Sequence, residues 1–148
     1  MTLTHEEAYD EMMGHIRTGW LASPVTSSIA MAWDDRRFDR PGEDTVGLPL
    51  PWARSSIAHI ASERQGISSN SLWQETAIAT IQVFTAFNGG RAISNRILQV
   101  AANLFRGITS AELTIVEVGP PIRIGQDAAY FAANMPCRFY YFQENSQT

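Results

Sequence analysis

Apolar and polar residues alternate along this chain with two different periods. From Thr4 to Leu21 it reads THEEAYDEMMGHIRTGWL, and Tyr9, Met12, Met13, Ile16 and Trp20 recur at helical spacing. That pattern lays one apolar stripe along a helix. Thr4 and Glu7 make a capping box, each side chain placed to bond the other's backbone amide. Acids at the start and Arg17 near the end complement the helix dipole. Pro24 lies just beyond the predicted end. SSIAMAWDD (27–35) reads as a short strand ending near Trp33.

WARSSIAHIASERQG (52–66) has the two-residue period of a strand, with Ala53, Ser55, Ile57 and His59 alternating against Arg54, Ser56, Ala58 and Ile60. GISSNS is a turn. LWQETAIATIQVFTAF (72–87) is a long strand rich in β-branched and aromatic residues. Both its faces are partly apolar, so the pattern does not choose which one meets the core. Asn88, Gly89 and Gly90 break it. RAISNRILQVAANLFRG (91–107) then predicts a helix with Ile93, Ile97, Val100, Ala101, Leu104 and Phe105 inward and Gly107 at its C-terminal cap.

AELTIVEVGPP (111–121) predicts a fourth strand, stopped by Gly119-Pro120-Pro121. AAYFAANMPCRFYYF (128–142) predicts a fifth, with Phe131, Ala133, Met135, Cys137, Phe139 and Tyr141 sharing a face. Pro136 has no amide for a ladder, which places this strand at an edge or gives it a bulge. QENSQT reads as a frayed tail. The order is helix, three strands, helix, two strands. It predicts a single α+β domain over 1–148, with a mostly antiparallel sheet of about five strands and two helices packed on one face.

An extended loop at 34–51 interrupts this economy, and a compact domain rarely carries one without a use for it. Its core, RRFDRPGEDTVGLPLPW (36–52), mixes Arg36, Arg37 and Arg40 with Phe38, Leu48 and Leu50, a composition found in interfaces. Its prolines restrict the free chain and lower the entropy lost on docking. On the last strand the even-numbered residues Tyr130, Arg138, Tyr140 and Phe142 point away from the predicted core and make a second candidate contact patch.

The remaining composition mostly excludes. A net charge of −4 argues against sequence-independent nucleic-acid binding, which needs a basic face. All eleven basic residues are arginine. Coding bias explains that without function; the sharper reading is arginine's use in bidentate interface pairs. Cys137 is the lone cysteine, so no intrachain disulfide forms, and it falls on an apolar strand face where an inert thiol belongs. No apolar run approaches the ~20 residues of a membrane helix, and the acidic N-terminus is unlike a signal peptide. The expectation is a soluble, cytoplasmic protein.

No catalytic or metal constellation emerges from spacing. His5 and His15 are about 15 Å apart along one helix and cannot share an ion. With His59 they read as surface or edge positions. Asp34, Asp35, Asp39, Glu43 and Asp44 lack the spacing of a calcium loop and lie among arginines. Glu63, Glu75, Glu112 and Glu117 read as solvent-facing strand positions. Asn88-Gly89-Gly90-Arg91 suits either an anion at a helix start or plain turn geometry.

Four phrases in order carry a resemblance: AMAWDDRRFDRP, PWARSSI, WQETAIATIQVFT leading into a glycine break and helix, and YFAANMPCRFYY. From about Glu7 to Phe142 the chain resembles the tail terminator proteins of long-tailed bacteriophages. The resemblance implies a structural virion protein, assembled in the host cytoplasm and located in the virion neck. It implies a homo-hexameric ring on the head-proximal end of the tail tube, which ends tube polymerisation and offers a head-joining surface. The implied partners are copies of itself, the tail tube protein and a head-completion or connector protein, with no membrane and no direct nucleic-acid contact. It also implies no enzymatic activity and no cofactor. Other readings are a different neck or tail component, or a small enzyme using Asp34, Asp35 and His59.

Overall fold

The computed structural model describes residues 2–34, 36–42, 49–66, 72–86, 90–127 and 130–144, the side chains of 126 and 127 excepted. Helix α1 (His5–Ala22) starts at the expected capping box: Glu7 N–H donates to Thr4 Oγ1 at 3.1 Å, and Thr4 N–H to Glu7 Oε1 at 3.0 Å. Ala8, Met12, Met13, Ile16 and Trp20 are its buried residues. The helix runs past Arg17, which therefore misses the last turn and lies over the Trp33 ring at 5.2 Å instead.

Strands β1 (Ala30–Ala32), β2 (Trp52–Gln65) and β3 (Leu72–Ala86) follow, then helix α2 (Arg91–Arg106) and strands β4 (Thr114–Val118), β5 (Ile122–Asp127) and β6 (Tyr130–Glu144). The class is α+β, as the pattern predicts, but the sheet has six strands and is mixed. Its order is β1-β2-β3-β6-β4, with β5 also paired to β6. β1 runs parallel to β2, with Ala30 opposite Trp52. A parallel neighbour needs a connection of a dozen or more residues. The long loop supplies that length, carrying the chain from the end of β1 back to the start of β2.

β5 was not expected. It is a short edge strand that exposes Ile122 and Ile124, so it has no buried stripe to give it away. Gly119, in the left-handed region at φ +81°, turns the chain from β4 into β5. The expectation of an edge strand at Pro136 is overturned, while the ladders of β6 with β4 and with β5 each carry a register shift. β6 is central, and its pairing with β3 runs unbroken through Thr80 opposite Pro136. Gly119 N–H donates to Pro136 O at 2.8 Å, so that carbonyl faces the β4/β5 side. The proline's missing donor faces the same side, at the corner where β4 hands over to β5. A proline sits there without breaking either ladder. At the end of the chain, Gln143 and Glu144 complete β6 rather than fraying.

Both helices cover one face of the sheet. Ala53, Ala77, Ala79, Ile81, Val83, Met135, Cys137, Phe139 and Tyr141 pack there against Met12, Ile16, Trp20, Ile97 and Phe105. α2 presents Ser94, Ile97, Leu98, Ala101, Ala102 and Phe105, so the predicted stripe is rotated by about one position and Ile93 is exposed. The small side chains at 94, 101 and 102 let the helix lie close to the strands. Leu104 meets α1 at Gly19, where a Cβ would stand 2.5 Å from Leu104 Cγ. Neither helix is long and apolar enough to cross a membrane.

Candidate functional site

The uncovered face of the sheet carries a second, smaller cluster. Trp52 stacks on Phe84 at 4.0 Å, and Tyr130 stands edge-on to both. Tyr130 is thus 8% exposed, a buried residue and not the exposed ring expected of it. It pairs at the end of β6, where the aromatic rings of β2 and β3 enclose it. The loop closes over this cluster from outside: Phe38 stacks on Trp52 at 5.1 Å, and the Arg40 guanidinium lies 5.4 Å from the same ring. Arg54, over Phe84, donates to Gln82.

Two of the predicted contact residues, Phe38 and Arg40, therefore pack on their own sheet. Arg36 and Arg37 stay exposed, with Arg37 in a 3.8 Å solvent-exposed pair with Asp39. Leu50 is exposed and its N–H donates to Gly42 O at 3.0 Å. Arg138 is exposed, while Tyr140 and Phe142 are half-buried and meet edge to face at 5.7 Å. Leu48, Asp35, Glu43, Asp44, Asn88 and Gly89 lie outside the described residues.

On the helix-covered face the tertiary fold assembles what spacing did not. His59 sits opposite Ala77, and Ala77 opposite Phe139; in the next row Ser62 sits opposite Glu75, and Glu75 opposite Tyr141. A register shift between His59 and Ala61 brings these rows together. Strict alternation would put His59 and Ser62 on opposite faces; the extra residue of a bulge re-aims the strand. The first turn of α1 adds His5, whose ring stacks on His59 at 4.4 Å and 14°. His59 Nε2 shares a 2.9 Å hydrogen bond with the Tyr141 hydroxyl. Glu75 accepts from Ser62 Oγ and lies 4.0 Å from His5 Nε2. His5, His59 and Tyr141 border an open cavity of about 280 Å³, lined also by Ala8, Tyr9, Ile57, Ala77 and Phe139.

Glu75 corrects the expectation of a solvent-facing acid: it is only 5% exposed. Its register shared with Ala77, Ala79, Ile81 and Val83 was the available signal, an acid in line with an apolar row. His5 and His59 were missed because spacing tests only neighbours on one element. Asp34 lines a different cavity, with Arg17, Trp33 and Arg36, so the fold does not join it to His59.

Two acids on this face are shifted. Burial pushes the Cys137 thiol up to about 12 from its ordinary 9.0. Burial, and then the charge of Glu75, push the Tyr141 hydroxyl up to about 12 from 10.0. Both groups give up their protons more readily in the unfolded chain. Their contribution to stability is complete below about pH 9 and is lost as pH climbs toward about 12. Calorimetric melting should show a flat Tm through neutrality and a fall across that alkaline window. Native Cys137 should resist iodoacetamide at mildly alkaline pH and react once the chain is denatured.

No family model matches the sequence, and no curated protein does. A solved structure of an uncharacterised protein is similar, with a TM-score of 0.61 at 10% identity over 94% of this chain and 96% of that one. At that identity the likeness concerns the fold alone.

Proposed function

We propose that the chain is a structural subunit that closes a ring on the head-proximal end of a phage-type tail tube. The ring would end tube growth and present a joining surface to a head-completion or connector protein. Six copies, the number the sequence resemblance implies, would make it. The observation that carries this reading is that, among the described residues, the sheet has two free and unlike edges. Along β2 no described strand pairs beyond Arg54 on the outer side, and at the opposite edge β4 and β5 have no described outer partner.

Head-to-tail contacts around a rotation axis need two different patches on each copy. Sheet edges are ready templates for such contacts, through backbone bonds with side chains selecting the partner. Val116, Ile122 and Ile124, on the β4/β5 edge, are more than half exposed and supply apolar surface there. Arg36, Arg37 and Leu50, in the loop beside the opposite edge, remain available to a neighbour.

Negative-stain microscopy of particles made without this protein tests the reading. Overlong tails without heads are the expected result; tails of normal length would contradict it.

A further inference from the structure

We propose that His5, His59 and Glu75 form a binding site for a divalent transition-metal ion of the zinc class. One ligand atom from each lies within 4.8 Å of the others. The residues come from α1, β2 and β3, so an ion there would tie the first turn of the helix to the β2–β3 hairpin. The site is independent of the ring reading, since a solitary chain would hold the ion equally well.

A buried carboxylate is costly unless it is hydrogen-bonded, paired or bound to a metal. Glu75 accepts a hydrogen bond from the Ser62 hydroxyl and lies 4.0 Å from His5 Nε2. A single divalent ion placed among His5, His59 and Glu75 would take a ligand from each of the three groups at once.

The donor set favours this class of ion. Two imidazoles and a carboxylate suit zinc, cobalt or nickel, whereas magnesium and calcium prefer oxygen ligands. Tetrahedral ligands at ordinary zinc distances stand roughly 3.3 Å apart, so the three side chains close by up to about 1.5 Å and the rings splay. His5 and His59 are both exposed side chains. Ala77, the small residue beneath them, leaves the cavity open for a water as fourth ligand. The Tyr141 hydroxyl, bonded to His59, orients that ring as outer partners of metal-binding histidines do.

The test uses tag-free full-length protein, stripped with chelator and titrated with Co²⁺ under visible absorption, then with Zn²⁺ in competition. The expected result is one ion per chain, with the strong bands of four- or five-coordinate cobalt, displaced by zinc. His5→Ala and His59→Ala should each weaken binding at least about tenfold, and Tyr141→Phe to a smaller degree. His15→Ala, on the same helix but outside the cluster, should change nothing. Zn²⁺ should raise Tm in the wild type and not in the double variant H5A/H59A. Paramagnetic shifts on the His5 and His59 ring protons of the cobalt-loaded wild type give a readout that depends on no variant. Absence of cobalt bands, weak six-coordinate bands, or affinity that survives in H5A/H59A would each overturn the proposal.

Discussion

Trp20→Ala should destabilise the protein by about 3–5 kcal/mol, the range for truncating a buried tryptophan. Trp20 is 1% exposed and is the largest fully buried side chain. It also organises the chain beyond its own helix. Its indole N–H donates to Ile29 O at 3.1 Å, and its carbonyl accepts from the buried Thr26 hydroxyl at 2.6 Å. One residue therefore fixes the turn that leads from α1 into β1. For a domain of this size the loss corresponds to a fall in Tm of roughly 6–20 °C. Trp20→Phe separates the two roles, since it keeps most of the volume but leaves Ile29 O without its donor, at a cost of about 1–2 kcal/mol. Urea unfolding of both variants measures the difference. Equal losses would mean that the hydrogen bond, and not the volume, dominates.

If the chain closes the proposed ring through its β4/β5 edge, placing lysine at Val116, Ile122 and Ile124 together should abolish assembly and leave the subunit folded. These side chains are 54%, 52% and 54% exposed, so each change should move subunit stability by no more than about 0.5 kcal/mol. In a closed contact the same positions would bring three ammonium groups out of water in place of apolar side chains. An apparent dissociation constant at least a hundredfold higher corresponds to a penalty of only about 2.7 kcal/mol. Sedimentation velocity of the triple variant and the wild type at matched concentration provides the comparison. Full rings from the triple variant would remove this edge from the contact.

What the sequence makes legible here is what short-range physics decides. The capping box of Thr4 and Glu7, the α1 stripe and the alternating runs that became β2, β3 and β6 all depend on residues a few positions apart. The second helix is legible as a helix but not in its facing, because Ile93 and Ser94 compete for the inward line and close packing on the sheet selects the smaller. The parallel β1, the central β6 and the edge strand β5 depend on pairings between distant segments, and no local period encodes them.

The same division governs the two candidate sites. Phe38 and Arg40 stand out by composition, yet Trp52 on their own sheet holds them. Glu75, His59 and His5 look ordinary because one extra residue near Ile60 and a long-range helix contact create their cluster. Arg36 and Arg37 remain where composition placed them, exposed in the loop.

The position of β6 has a consequence for the order in which the molecule is made. It follows β4 and β5 in the chain, and it lies between them and β3. During synthesis the nascent chain can build α1 and the β2–β3 hairpin, but β4 and β5 have no described strand to pair with until β6 has been made. The sheet is therefore completed only once β6 is available, through contacts between segments far apart in the chain, which are the slow kind. A premature stop anywhere before Tyr130 would leave the edge of β3 open to other unfinished chains.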